Sequence, residues 1–316
     1  MTHALVTGAA GFIGSHLTER LLADGVRVSG VDAFTNYYDP SLKRRNLEAA
    51  LRHPSFTLFE VDLGTADLSV LPDVDVVFHQ AAQPGVQASW GREFATYAQQ
   101  NVIATQRLLE RYKGVKLERF VYASSSSVYG DAESYPTPET LLPRPFSPYG
   151  VTKLAGEHLT LLYGRNFGLP VTALRYFTVY GPRQRPDMAF HRFCRAMLAG
   201  EPITVYGDGR QSRDFTFIAD AIEANVRAWK NAAPQSVYNI GGGSQVEVVE
   251  AIALLESSLG VKAQVKFVPR PPGDPDRTRA DASRLAADLG YRTTVSIADG
   301  LAAEAEWARS LYGGVR

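Results

Sequence analysis

A phenol and an ammonium stand four residues apart in Ser147-Pro148-Tyr149-Gly150-Val151-Thr152-Lys153. Ser147 suits a helix N-cap and Pro148 the first helical position. Tyr149 and Lys153 are therefore expected on one face of a helix. A cation held beside a phenol lowers its pKa, which would make Tyr149 a general base near neutral pH. Taken alone, such a pair arises on many helix faces by chance. The residues upstream give it weight.

Leu5-Val6-Thr7-Gly8-Ala9-Ala10-Gly11-Phe12-Ile13-Gly14 runs from an apolar strand into a glycine-rich turn. An amphipathic helix follows, with Phe12, Ile13, Leu17, Leu21 and Leu22 at helical spacing. Glycines so placed allow a tight turn, close backbone approach to a pyrophosphate and close helix–strand packing. The free N–H groups and positive dipole end of the helix favour phosphate. The spacing is GxxGxxG. A second strand, over 26–31, ends at Asp32. An acid there accepts hydrogen bonds from a ribose and repels a 2′-phosphate, so it favours NAD over NADP.

These groups need a sheet edge to hold them. Strands are expected over 4–7, 27–31, 57–61, 74–79, 119–123 and 171–175, and helices over 12–23, 101–112 and 149–166. Val74-Asp75-Val76-Val77-Phe78 fits a strand covered on both faces. The alternation predicts an α/β fold: a Rossmann-type, doubly wound parallel sheet with a smaller C-terminal α/β lobe. We expect an NAD-binding domain over 1–175 and a mainly substrate-binding lobe over 176–316, with some chain returning to the sheet. Strand pieces are expected within 198–208, 237–243 and 265–269, and a capping box of Ser244 and Glu247 ahead of a helix over 248–259.

Composition excludes several function classes. Acids and bases balance at 33 each among 316 residues, so no basic field invites nucleic acid or an anionic membrane. Cys194 is the only cysteine, and the six histidines lack metal-ligand spacing. No metal is expected. No apolar run is long enough to span a bilayer, and the first strand follows Met1 directly. The expectation is a soluble, cytoplasmic protein.

A serine run completes the set: Val121-Tyr122-Ala123-Ser124-Ser125-Ser126-Ser127-Val128-Tyr129-Gly130 follows a buried strand, at the carboxyl edge where open α/β sheets bind ligands. With Thr7–Gly14, Asp32, Asp62-Leu63, 79–82, Tyr149–Lys153 and 174–189, it resembles the extended short-chain dehydrogenases/reductases over nearly the whole chain. Within them it resembles the nucleotide-sugar epimerases, most of all those acting on UDP-glucuronate. The resemblance implies a catalytic set of Ser125, Tyr149 and Lys153, with Ser126 the second choice for the serine. It implies NAD contacts from Gly8, Gly11, Phe12, Ile13 and Gly14 at the pyrophosphate, and from Asp32, Asn36 and Lys43 around the ribose. Asp62 and Leu63 would meet the adenine. Ala81, Ala82 and Asn101 would lie along the nicotinamide half, and Lys153 would bind its ribose. For Asn101 a plain helix N-cap is the competing reading.

The same resemblance bears on substrate. Ser126 and Ser127 stand where related dehydratases carry an Asp-Glu pair and related decarboxylases a Glu, so no extra acid or base is available there. In Leu174-Arg175-Tyr176-Phe177-Thr178-Val179-Tyr180-Gly181-Pro182-Arg183-Gln184-Arg185-Pro186-Asp187-Met188-Ala189, Thr178 and Arg185 would bind a sugar carboxylate, which a guanidinium meets bidentately. Oxidising C4 of a glucuronate makes a β-keto acid prone to losing CO2. Thr178, Arg185, Ser126 and Ser127 would hold its carboxylate out of the alignment that favours this. UDP would be held by Arg213, Arg270 and Asp274, with Tyr206 beside the uracil or simply an aromatic of a strand. Gln87 stands where uronate members commonly carry Arg, and Pro271 where a second basic residue is common.

The expected activity is NAD-dependent 4-epimerisation of UDP-glucuronate through a transient 4-keto sugar, with NAD tightly bound and recycled. By analogy with the family, a homodimer is expected, formed through the helices over 101–112 and 149–166. The alternatives are UDP-glucose 4-epimerisation, UDP-glucuronate decarboxylation and a non-catalytic NAD-binding role.

Overall fold

The computed structural model describes residues 1–270 and 276–313. The apolar runs of the first half become strands β1 His3–Thr7, β2 Arg27–Asp32, β3 Phe56–Glu60, β4 Val76–His79, β5 Arg119–Ser125 and β6 Val171–Tyr176. β1, β4, β5 and β6 are buried along their whole length, as strands covered on both faces must be. Short strands β7 Thr178–Tyr180, β8 Ile203–Tyr206 and β9 Ser212–Phe217 follow, then β10 Ser236–Ile240, β11 Ser244–Glu247 and β12 Val265–Val268. Among the described residues these form a seven-stranded sheet in the order β10-β6-β5-β4-β1-β2-β3, a three-stranded sheet β11-β9-β7 and a pair β12-β8. All pairings in the large sheet are parallel.

The strand order reverses at β1, with β2 and β3 to one side and β4, β5 and β6 to the other. Such a reversal opens a crevice at the carboxyl ends of the strands. Thr7, Asp32, His79, Ser125 and Tyr176 end their strands there.

The helices are α1 Phe12–Ala23, α2 Pro40–Asn46, α3 Glu48–Leu51, α4 Phe94–Tyr97, α5 Ala104–Tyr112, α6 Pro148–Phe167, α7 Ala189–Ala199, α8 Ile218–Asn231, α9 Val248–Leu259, α10 Ser283–Leu289 and α11 Ile297–Tyr312. Leu17 and Leu21 of α1 and Ile222 and Val226 of α8 pack with Val6, Val28 and Val121 on one face of the sheet. Leu108 and Leu109 of α5 and Tyr163 of α6 pack with Leu5, Val77 and Phe120 on the other. Fully burying one such leucine contributes roughly 1.5–3 kcal/mol. A separate core joins Phe193 and Met197 of α7, Leu255 of α9 and Leu301 of α11 beneath β8 and β9.

Ser147 and Pro148 behave as their types predict: the Ser147 hydroxyl accepts the Gly150 N–H at 3.1 Å and Pro148 opens α6. Two local expectations need correction. The capping box ahead of α9 is Glu247 with Glu250, not Ser244 with Glu247; Ser244 instead begins β11 and pairs with Phe215. Asn101 is not a helix N-cap. It lies inside a wide helical turn, Ala98–Ile103, that runs on into α5.

Candidate active site

A cavity of about 1020 Å³ opens along the carboxyl edge of the large sheet and runs under the smaller lobe. One end is the turn between β1 and α1. Gly8 adopts φ +66°, a left-handed conformation open mainly to glycine. A Cβ on Gly14 would fall 2.0 Å from the Gly8 carbonyl oxygen. Gly8 and Gly14 line the cavity where the N-terminus of α1 faces it, so the turn fits a pyrophosphate. Gly11, Phe12 and Ile13 line the same wall. Asp32 ends β2 at the cavity edge, accepting the Ala10 N–H at 3.1 Å and the Phe34 N–H at 2.8 Å. Lys43 lies 3.9 Å from its carboxylate and donates to the Thr35 carbonyl and hydroxyl. Leu63, Ala81 and Ala82 also line the cavity. These groups fit an NAD molecule lying along the strand ends.

Three predicted cofactor contacts do not line this space. Asn36 is exposed on the loop beyond Asp32. Asp62 accepts from the Gly64 N–H and from Gln100. Asn101 is buried, accepting the Gln83 N–H at 2.6 Å and donating to the Gln83 carbonyl and to Thr152. Thr152 in turn donates to the Tyr149 carbonyl. Asn101 thus ties the segment after β4 to the start of α6, behind the cavity wall.

Beneath that segment runs a second tie. The Thr105 hydroxyl donates to the Asn101 carbonyl, so its oxygen accepts from His79 Nε2. His79 Nδ1 is then the acceptor for the Thr7 hydroxyl, whose oxygen takes the Ala81 N–H. Burial, helped by the Lys153 charge, holds His79 down to about 3. It is neutral, and its tautomer follows from its partners.

At the middle of the cavity Ser125, Ser126, Ser127, Tyr149 and Lys153 come together. Ser125 Oγ accepts the Ser127 N–H at 3.1 Å. Ser124 faces a buried ion pair instead: its hydroxyl donates to Glu157 at 2.6 Å, and Glu157 is gripped by Arg175 through Nε at 3.0 Å and Nη2 at 2.6 Å. Burial raises the Tyr149 phenol; the Ser125 hydroxyl and then the Arg185 guanidinium act to lower it, and Asp187 raises it. Lys153 stands one helical turn along α6 from Tyr149. Its ammonium lies over the Tyr122 ring, 4.8 Å from the centroid. Burial brings Lys153 down to about 7, against the opposing pull of Glu157. Among the four serines, Ser125 is the one whose hydroxyl acts on the phenol.

Beyond this centre, Thr178, Arg185 and Tyr206 line the cavity, and so does Gln87. Arg185 donates to Asp187 through Nε and Nη2, each at 3.0 Å. Arg183 turns away and pairs with Glu19 of α1 at 2.8 Å. Arg213 and Arg270 are not among the lining residues. Arg213 donates to the Ser212 and Asp276 carbonyls, and Arg270 pairs with Asp276 and packs over Gly207, next to Tyr206. Asp274 and Pro271 lie outside the described residues. Residues not anticipated from the sequence also reach the cavity, chiefly Arg192 and Arg195 of α7, Tyr37 and Tyr38. The two arginines add positive charge at the far end, where an anionic ligand would lie. Their spacing on α7 is the sequence signal, but it looks like any solvated helix face.

No helix among the described residues is long and apolar enough to cross a membrane. No group of three His, Cys, Asp or Glu among them is placed to hold a metal.

The chain is similar to several known proteins along its length. A UDP-glucuronic acid 4-epimerase from Bacillus cereus, solved in complex with UDP-glucuronic acid and NAD, superposes with a TM-score of 0.95 at 47% identity, covering 98% of this chain and 100% of that one. A protein of Bacillus subtilis (strain 168) described as an uncharacterized UDP-glucose epimerase, YtcB, is 47% identical over 313 residues, 98% of this chain and 99% of its own. UDP-glucuronate 4-epimerase 1 of Arabidopsis thaliana is 40% identical over 332 residues, 98% of this chain and 77% of the plant protein. The model of the NAD dependent epimerase/dehydratase family matches residues 4–241. That stretch runs from β1 to the end of β10 and takes in the glycine turn, the serine run and α6, so the chain belongs to the NAD dependent epimerase/dehydratase family.

Proposed function

We propose that this protein interconverts UDP-glucuronate and UDP-galacturonate by inverting C4, using NAD. The observation that carries this reading is one cavity that joins the glycine cradle, the Ser125–Tyr149–Lys153 cluster and, beyond it, Thr178 with Arg185. The cradle is where a dinucleotide fits, and a guanidinium at the sugar end suits a carboxylate. The relatives acting on UDP-glucuronate support the same substrate.

Tyr149 takes the proton of the C4 hydroxyl, with Ser125 positioning or relaying it. NAD, when bound, would supply the acceptor and donor for the C4 hydride, and its cationic ring would offset the burial that raises the phenol. Lys153 would hold the nicotinamide ribose. Gly8, Gly11, Phe12, Ile13 and Gly14 would hold the pyrophosphate, Asp32 and Lys43 the adenosine ribose, and Leu63 the adenine. Arg192 and Arg195 add to the charge that anchors UDP, and Tyr206 flanks its base. Anchoring remote from C4 lets the 4-keto sugar turn its other face without escaping. Ser126 and Ser127 bring no acid or base for elimination, which favours epimerisation over decarboxylation.

We further propose a homodimer through α5, α6 and the turn before α5, where Ile103, Val151, Leu162 and Phe167 are exposed, and a cytoplasmic location, where nucleotide sugars are at hand. Incubation with UDP-glucuronate and, separately, UDP-glucose, followed by NMR of the sugars, tests the substrate. UDP-galacturonate formed faster than UDP-galactose is the expected result. UDP-galactose alone would make the protein a UDP-glucose epimerase, and CO2 with accumulating NADH a decarboxylase.

A further inference from the structure

Arg185 reaches the cavity with one side of its guanidinium already engaged. Nε and Nη2 form a two-pronged pair with Oδ1 and Oδ2 of Asp187, two residues on in the same loop. Neither side chain is freely solvated, at 22% and 34% exposure. Asp187 is held from the other side too, since the Tyr37 hydroxyl donates to Oδ2 at 3.3 Å. Tyr37 belongs to the loop that leaves Asp32, which Asp32 pins through Phe34 and Lys43 pins through Thr35. A line of contacts therefore runs from the ribose-binding acid through Tyr37 and Asp187 to Arg185.

A guanidinium carries five N–H donors in a rigid plane. Asp187 occupies the Nε–Nη2 edge, so the second N–H of Nη2 and both of Nη1 remain. A sugar carboxylate can meet Arg185 two-pronged only on that terminal Nη1–Nη2 edge. The Asp187 charge also offsets that of Arg185, so the site orients a carboxylate more than it attracts anions at large.

We infer that Asp187 is a positioning residue: it sets the edge and direction from which Arg185 grips the substrate carboxylate, and so the angle of the sugar's C5–C6 bond to the C4 carbonyl. The inference rests on the uronate reading above. The reaction it restrains is loss of CO2 from the 4-keto sugar. There the C5–C6 bond breaks, its electron pair passes into the C4 carbonyl as an enolate, and C5 takes a proton from water. The products are CO2 and a UDP-4-keto-pentose, and the hydride is left behind as NADH because no 4-keto uronate remains to receive it.

The test compares holoenzymes of the parent, Asp187→Asn, Tyr37→Phe and Arg185→Ala on UDP-glucuronate, scoring UDP-galacturonate, UDP-4-keto-pentose and enzyme-bound NADH. Asp187→Asn removes a charged hydrogen-bond partner, so kcat is expected to fall by about tenfold. The ratio of keto-pentose to epimer should rise by about as much, while KM does not rise. Tyr37→Phe should shift the ratio the same way by about two- to threefold, with Tm unchanged. A parent-like product ratio in Asp187→Asn, with kcat and KM impaired together, overturns the inference and leaves Asp187 a structural residue. Should Asp187→Asn fail to fold, a parent-like ratio in Tyr37→Phe overturns it. Arg185→Ala separates the two readings. If it alters neither KM nor the ratio, the carboxylate role of Arg185 falls; if it alters both while Asp187→Asn keeps the parent ratio, only the role of Asp187 falls.

Discussion

Lys153 stands one helical turn beyond Tyr149, yet its ammonium lies over the face of Tyr122, 4.8 Å from the ring centroid. Burial brings it from 10.5 down to about 7. Between those pH values the unfolded chain holds a proton that the folded chain lacks. Stability therefore rises with pH across that window and is lowest below it. Lys153→Met removes this dependence. In NAD-free protein, urea unfolding at about pH 7.5 and about pH 9 should show the parent gaining on the variant by roughly 1.4 kcal/mol per pH unit. A difference that stays flat with pH would contradict the depressed ammonium.

Tyr149→Phe keeps the ring against Tyr97 and removes only the hydroxyl. Turnover is expected to drop by roughly 10²–10⁴-fold, the usual contribution of a positioned acid–base group. Calorimetry should find UDP binding within a few-fold of the parent. Near-parent turnover would remove Tyr149 from the mechanism.

Gly14→Ala would set a methyl group 2.0 Å from the Gly8 carbonyl oxygen, backbone that cannot swing aside. It should cost at least about 1–3 kcal/mol and leave purified protein with little NAD. Gly25 has φ +77°, but a Cβ there would meet nothing within 4 Å. Gly25→Ala should therefore cost only about 1–2 kcal/mol of backbone strain and keep its NAD. Equal NAD content in both variants would separate the turn from the cofactor.

Asp32→Asn keeps the size of the side chain but removes its charge and one of its two acceptors, Oδ2 for the Ala10 N–H and Oδ1 for the Phe34 N–H. NAD affinity of stripped protein should fall by roughly ten- to a hundredfold, as expected for a charged hydrogen-bond partner, and NADP should lose less. A parent that already binds NADP as tightly as NAD would contradict the role given to Asp32.

What is legible in the sequence is local. The glycine turn, Asp32 and the Ser147–Lys153 start of α6 each express backbone demands within a few residues, and the fold gathers them along one cavity. The apolar runs likewise mark the six strands from β1 to β6. Asn101 is less legible: it lies near the cavity as expected, but its side chain points into the packing between Gln83 and Thr152. Ser244 misleads because strand pairing with Phe215 outweighs its capping tendency. The pairing of Arg185 with Asp187 and Tyr37, and the arrival of Arg192 and Arg195 at the cavity, depend on how the smaller lobe closes over the sheet. No local pattern encodes that. The place of the Lys153 ammonium is hidden for the same reason: proximity to Tyr149 in sequence says nothing of the Tyr122 ring that receives it.

In the proposed reaction a hydride leaves C4 and comes back to the same carbon. UDP-glucuronate carrying deuterium at C4 tests it most directly, in ordinary water and with NMR of the products. The predicted result is UDP-galacturonate with the deuterium still at C4 and no net NADH. Epimer that has exchanged its label for solvent hydrogen, or no epimer at all, would contradict it.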